Sequence, residues 1–469
     1  MAFDSIEYAL FLLGVLGLYA ALPGKLRVAF LLVASLGFYA VWSVPLTSLI
    51  LISGLTDYGI ALALERSEQP SRRRLLLATS MVVNLGILAY FKYSGFFLDN
   101  LVALGLIEEQ GWAAMILPPG ISFYTFQTMS YSVDVYRREL EPERDPLKFL
   151  LYVAFFPQLI AGPIERAGRL LPQFAAMARH RVASEDLAAG LRLILLGLFK
   201  KAVLADSCAL LVDAVFEAPD SAGGGAVIVA CLAFTLQIYF DFSAYSEIAK
   251  GSARLLGVEL IWNFDQPYLA ANVSDFWRRW HISLSTWFRD YLYKPLGGSK
   301  KGNVRVLFNL AATMFLSGLW HGAAWNFVIW GLFHGVLLLI HHQVRGLGPV
   351  VALRERIPRV HAFALWAYTL HAVIFGWLLF RVESFADAGV LLGAAGRVLS
   401  GSQGVTPTEL GYIGAFYGFI AFTAAARRGR WLARIDHNTA LSLVFYAALA
   451  AAAMLLAREQ SAQFIYFQF

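Results

Sequence analysis

The chain has little charge and almost no cysteine. Asp, Glu, Lys and Arg make up 15% of its 469 residues, where soluble globular domains carry about 25%. Apolar side chains make up 58%, more than a soluble protein can hide, because surface grows too fast with size. A cytosolic enzyme, a disordered scaffold and a disulfide-stapled secreted domain are excluded. The two cysteines, Cys208 and Cys231, lie in apolar runs without CxxC or Cys/His spacing. They read as small buried hydrophobes, and they point to neither disulfide nor metal chemistry. A GxSxG elbow, a Walker A loop, a GxGxxG after a strand and an HExxH pair are also missing. Their absence speaks against a serine hydrolase, an ATP-driven pump and a zinc protease.

What is there is a succession of long apolar runs. A helix needs about 20 apolar residues to cross about 30 Å of hydrocarbon. Such runs fall near 8–24, 28–43, 46–64, 75–98, 114–135, 187–215, 225–253, 305–323, 324–343, 360–380, 409–426 and 438–457. The pattern predicts an all-α polytopic membrane protein with eleven or twelve spans. Segment 149–163 is apolar but short, and Pro157 and Gly162 interrupt it, so it reads as re-entrant.

The opening MAFDSIEYAL holds Asp4 and Glu7 but no Lys or Arg. It lacks the positive n-region of a signal peptide and reads as a permanent anchor with its N-terminus outside. That orientation puts Lys25 and Arg27, then Arg66, Arg72, Arg73 and Arg74, inside, together with the basic stretches 137–148, 254–305, 344–359 and 427–434. The loops near 43–45, 99–112 and 216–224 fall outside and carry almost no Lys or Arg, as the positive-inside rule requires. Beyond about residue 360, one span more or less flips the C-terminus. The net charge of +6 therefore belongs to cytoplasmic loops and does not argue for nucleic acid as a partner. No repeat or appended soluble domain is visible. The chain reads as one integral membrane domain, with N-terminal helices over 1–112, a motif-bearing core over 113–345 and C-terminal helices over 346–469.

One stretch, 257–304, is neither plainly apolar nor plainly linker. Trp262, Trp277, Trp280, Trp287, Tyr268, Tyr291 and Tyr293 alternate there with Arg278, Arg279, Arg289, Lys294, Lys300 and Lys301. This is the make-up of an amphipathic segment at the membrane–water interface, aromatic at headgroup level and basic towards water. An interfacial belt and a cytoplasmic floor over a buried site both fit it.

Ionisable residues at membrane depth are expensive and count as functional candidates. His180, His341, His342, His361 and His437 fall in or beside loops, where exposure or snorkelling explains them. His334 and His371 lie within spans and read as helix-packing donors. His321 sits in SGLWHG (317–322), where one span ends and the next begins. Small neighbours leave room for approach to the imidazole, and Trp320 and Trp325 are placed to wall a cavity. A neutral imidazole there can take a proton from a hydroxyl; a packing histidine is the competing reading. His281, between Arg278–Arg279 and Ser283–Ser285, suits orienting a thioester or phosphate, or simply an interfacial belt. Asp241, in IYFDFSAY (238–245), is a carboxylate within an apolar helix and needs a partner. Tyr, Ser243 or an Arg of a neighbouring span would supply one structurally.

WRRWHISLSTWFRDYLY (277–293) and SGLWHGAAWNFVIWGLFHG (317–335) together resemble the membrane-bound O-acyltransferase superfamily in its bacterial branch. LPPGISFYTFQTMSYSVDVYR (117–137), FFPQLIAGPIER (155–166), QIYFDFSAYSEIAKG (237–251) and the closing FIYFQF (464–469) are similar to the alginate O-acetyltransferase membrane subunits. The likeness runs from about residue 40 to 345, plus the extreme C-terminus, and is looser after 345. It implies helices packed around a buried tunnel and makes His321 the superfamily's acyl-transfer histidine, with His281 as the second polar position. Trp280, Arg278, Arg279, Trp320, Trp325, Asp241 and Ser243 are then the candidates for substrate binding. No metal or permanently bound cofactor is implied; acetyl-CoA is the expected donor.

The resemblance further implies residence in the bacterial cytoplasmic (inner) membrane, an exported polysaccharide acceptor and an extracytoplasmic acetyltransferase- or esterase-like partner protein. The tunnel would bring a cytoplasmic thioester and an external acceptor to His321 without moving the nucleotide across. The basic floor would hold coenzyme A phosphates through charge-assisted contacts. D-alanyl transfer from a carrier-protein thioester, as in teichoic acid modification, is the alternative within the same class. A transporter is the alternative outside it, although the internal repeats usual in transporters are not visible.

Overall fold

A computed structural model describes residues 1–108, 116–160, 162–179, 182–457 and 463–465. His180 and the last four residues of the closing motif lie outside the described residues. Among the described residues the chain is helical, without a β-strand. Among the same described residues, seven helices are long and apolar enough to cross a membrane: Val44–Glu65, Pro70–Ala103, Gly224–Leu255, Trp325–Val344, Pro358–Arg381, Pro407–Gly429 and Thr439–Leu456. The remaining expected spans are helical but shorter or less apolar, among them Ile6–Ala21, Arg27–Ala40, Ile121–Tyr136 and Asn303–His321. The protein is an all-α, polytopic, integral membrane protein.

The helices gather into two compact units that interleave along the chain. The first holds Met1–Ile194 and Tyr245–Trp262; the second holds Leu195–Ala244 and Asn263–Phe469.

In the first unit, buried polar groups tie helices together where apolar surface alone gives little drive for association in lipid. Asp57 is fully buried in Val44–Glu65. Its carboxylate accepts from Ser80, from Ser132 at 2.8 Å and from Asn84 at 2.7 Å, so three helices meet on one side chain. Arg73 belongs to the basic run after Glu65, yet it is buried. It donates to the carbonyl oxygens of Leu64, of Ser67 at 3.2 Å, of Val135 at 3.4 Å and of Tyr136 at 2.7 Å. It thereby caps the C-terminal ends of two helices whose last carbonyls lack intrahelical donors.

The interrupted segment is Pro146–Ala154 followed by Phe156–Leu159, with the break at Phe155. Pro157 lacks the N–H that would continue the ladder. Residues 151–160 are all buried, which meets the requirement that non-helical backbone at membrane depth be surrounded by protein.

In the second unit, Asn303–His321 and Trp325–Val344 form a close helical hairpin. A Cβ on Gly318 would stand 2.3 Å from the Phe327 carbonyl oxygen, and one on Gly331 would stand 2.4 Å from that of Met314. A Cβ on Gly322 would meet the Phe327 ring at 2.1 Å. The small residues flanking His321 are therefore taken up by helix–helix contact. They do not leave the open approach to the imidazole that their size suggests in the sequence.

Candidate active site

The hairpin fixes the first histidine. His321 is the last residue of Asn303–His321 and is 4% exposed. His281 lies between two seven-residue helices, Val273–Arg279 and Ile282–Phe288, and is 0% exposed. The Trp320 ring centroid is 5.0 Å from that of His321 and 5.7 Å from that of His281, edge-on to both. One indole thus touches two imidazoles 40 positions apart in sequence. Trp330 at 4.9 Å and Phe380 at 5.5 Å close the far side of His321, and Phe242 stands 4.8 Å from His281. Burial pushes the His281 imidazole down to about 3, so it is neutral at physiological pH.

A cavity of about 340 Å³ reaches the turns that carry both histidines. Ser317, one turn before His321, and Leu284 and Ser285, one turn after His281, line it together with Trp277 and Met314. Arg289 and Arg345 line it as well and give it a cationic face, with His341 and His342 beside them. Arg289 is held by two bonds of 3.0 Å to Asp290, which also accepts from Lys294 at 2.7 Å. The space is that of a small-molecule site, apolar on one side and basic on the other.

The other sequence candidates divide. Arg278 is exposed, 3.7 Å from Asp275. Arg279 is committed to Asp275 at 2.9 Å and lies 3.5 Å from Asp265. Trp280 is 0% exposed, stacked on Phe276 at 5.7 Å and tilted against Trp377 at 4.7 Å; it supports the site from behind. Trp325 begins its helix 54% exposed, and Trp330 packs on His321 instead. Ser243 is buried, and its hydroxyl donates to the Phe240 carbonyl at 3.4 Å. Asp241 is buried, with one oxygen 3.1 Å from the Lys201 ammonium and the other accepting the Ile465 N–H at 2.8 Å. Lys201 also bonds Asp206 at 2.9 Å. The partner of Asp241 is thus a lysine on a π-helical turn, Lys200–Ala205, where the sequence suggested a Tyr, a Ser or an arginine of a neighbouring span.

His334 packs against Trp277 at 5.1 Å and Trp330 at 4.9 Å. His371 bonds Ala367 O at 2.7 Å and Tyr417 Oη at 2.8 Å, a helix-to-helix contact. Sequence reasoning missed Trp330, Phe380, Trp377 and Lys201, and it explained His341 and His342 by their place in or beside a loop. For Trp330 the signal was present, four residues before His334 on one helical face; for Trp377 and Phe380 there was none.

A model of the MBOAT, membrane-bound O-acyltransferase, family matches residues 136–382. The "Probable alginate O-acetylase AlgI" of Azotobacter vinelandii is 40% identical over 392 residues, 82% of this chain and 76% of that protein. The protein of the same description from Pseudomonas putida is 40% identical over 402 residues, 84% and 80% of the two chains. The peptidoglycan O-acetyltransferase of Helicobacter pylori is 33% identical over 447 residues, 89% and 79% of the two chains.

Proposed function

Because the chain belongs to the membrane-bound O-acyltransferase family, and so is an O-acyltransferase, we propose that it transfers acetyl from cytoplasmic acetyl-CoA towards hydroxyls of an exported, alginate-like polysaccharide. It does so from the bacterial cytoplasmic membrane, with an extracytoplasmic partner that completes modification of the polymer. The observation that carries the reading is the joining of His281 and His321 through Trp320 beside a cavity with a cationic face. The polymers named for these relatives, alginate and peptidoglycan, support the acceptor class.

His321 accepts the proton of the attacking hydroxyl as the C–O bond forms at the thioester carbonyl. The C–S bond then breaks, and the proton passes to the leaving thiolate, so that ester and free thiol are released and the imidazole is restored. General-base help of this kind contributes typically 10²–10⁴-fold. His281, neutral in its buried position, donates a hydrogen bond to the carbonyl oxygen as charge develops there, without introducing a charge that the surroundings would have to solvate. Arg289, Arg345, His341 and His342 hold the coenzyme A phosphates by charge-assisted hydrogen bonds, which leaves the acetyl end facing Ser317 and Leu284.

The test is free-thiol release from acetyl-CoA by purified protein in detergent, with and without an acceptor oligosaccharide, for wild type and His321→Ala. Release by wild type that falls at least 100-fold in the variant is the expected result. Equal release by both removes His321 from the mechanism. No release from acetyl-CoA, but release from a carrier-protein thioester, replaces the donor with the D-alanyl type.

A further inference from the structure

His281 holds an uncommon backbone conformation, φ 42° and ψ 57°, in the left-handed region that residues other than Gly adopt at a cost, His, Asn and Asp less rarely than the rest. Such a conformation persists only where its surroundings over-determine it, and it gathers at functional sites. One residue, Asn263, supplies two of the bonds beside it. The Asn263 carbonyl accepts the Ile282 N–H at 2.9 Å, and the Asn263 Oδ1 accepts the Ser283 N–H at 3.3 Å. Both bonds lie immediately after His281. Before it, the Arg279 carbonyl accepts the Asp265 N–H at 3.0 Å, two residues on from Asn263. The loop 263–265 therefore grips the chain on both sides of the histidine.

The loop is itself braced. Asp265 lies 3.5 Å from the Arg279 guanidinium and 2.9 Å from that of Arg427. Asn263 is 1% exposed, and its amide nitrogen makes no hydrogen bond among the described residues. A half-satisfied buried amide weakens a fold, and an apolar side chain of like volume would pack there without an orphaned donor. Its presence is explained by what the other half of the amide holds.

We propose that Asn263 is a positioning residue for acyl transfer: by bonding the two N–H groups that follow His281, it keeps that histidine left-handed and its imidazole against Trp320 and Phe242. The inference rests on the reading of His281 as a site residue. Asn263 acts through His281, so its loss should lower turnover and leave donor binding at the cationic face alone. A displacement of about 1 Å at a reacting group costs on the order of 100-fold.

The experiment compares Asn263→Leu, Asn263→Asp and His281→Ala in the full chain, using whichever thioester donor the wild type turns over, with thermal midpoints measured alongside. Asn263→Leu is expected to lose about 100-fold in kcat with donor KM changed by less than about twofold. Asn263→Asp, whose carboxyl still accepts the Ser283 N–H, should recover to within about tenfold of wild type, which a loss of packing alone would not allow. Equal impairment of the two variants, or full activity in Asn263→Leu beside an inactive His281→Ala, overturns the inference. Full activity in His281→Ala overturns the underlying reading of the site instead. If Asn263→Leu does not fold, Asn263→Ala takes its place, and the same comparison with Asn263→Asp decides.

Discussion

Lys201→Met should destabilise this protein far more than Asp241→Asn. The Lys201 ammonium is 2.9 Å from Asp206 and 3.1 Å from Asp241, and all three side chains are within 3% of full burial. Removing the lysine takes away the cation that both buried carboxylates share. Breaking a buried ion pair in this way costs about 3–5 kcal/mol. At roughly 2–4 °C per kcal/mol for a cooperative unit of a few hundred residues, that is a fall in Tm of roughly 6–20 °C. Asp241→Asn instead leaves a Lys201–Asp206 pair with no net charge. The Asn oxygen can still accept the Ile465 N–H that Asp241 accepts at 2.8 Å, so the expected cost is about 1–2 kcal/mol. Combining Lys201→Met with Asp206→Asn and Asp241→Asn should recover most of the lost midpoint, since no orphaned charge remains. Tryptophan fluorescence during thermal unfolding in detergent, paired with thiol release on the same samples, reads both quantities. Equal midpoints for Lys201→Met and Asp241→Asn would refute the electrostatic account. A wild-type midpoint with a raised donor KM in Asp241→Asn would return Asp241 to substrate binding.

Three further outcomes are expected. Gly318→Ala places a Cβ 2.3 Å from the Phe327 carbonyl and should cost about 1–3 kcal/mol through overpacking, read as a lower midpoint, while alanine at Gly346, where nothing lies within 4 Å, should be neutral. The His281 imidazole is held at about 3, below its ordinary 6.5, so the unfolded chain takes up the proton first as pH falls. Its share of stability is therefore present above about 6.5 and declines towards pH 3 at up to about 1.4 kcal/mol per pH unit; His281→Phe should flatten the midpoint-against-pH curve, and an unchanged slope would refute the assignment. Arg289→Ala with Arg345→Ala should raise KM for acetyl-CoA roughly tenfold or more while leaving KM for acetyl-pantetheine, which lacks the nucleotide phosphates, nearly unchanged; an equal rise for both donors would remove the phosphates from this face.

The class of the protein was legible because composition is a global property: 58% apolar residues and 15% charged require a lipid environment whatever the detail of packing. His281 and His321 were legible as candidates because each sits in a dense run of Trp and small or basic residues. The supporting residues were not. Trp377 and Phe380 reach the site from a helix that begins at Pro358, nearly 40 positions after His321, and they look like ordinary apolar span residues. Lys201 falls inside the apolar run 187–215, and nothing near it in sequence marks its partner. It becomes the counter-ion of Asp241 only because a π-helical turn places it at 0% exposure. Conversely, Trp280, Arg279 and Asp241 have the chemistry of binding residues, but packing and ion pairing have already engaged them.

Sequence alone determined that this chain crosses a membrane, that its ionisable groups at depth are few, and which histidines carry the motifs. These follow from transfer free energies and local patterns, which need no knowledge of neighbours. The tertiary structure alone decided which groups face each other. Trp320 joins the two histidines, Asn263 holds one of them in a left-handed turn, and the ends of distant helices supply the cationic face of the cavity. Contacts of this kind depend on helix crossing at close-packed glycines such as Gly318 and Gly331. A crossing is a relation between segments far apart in the chain, and no local pattern encodes it.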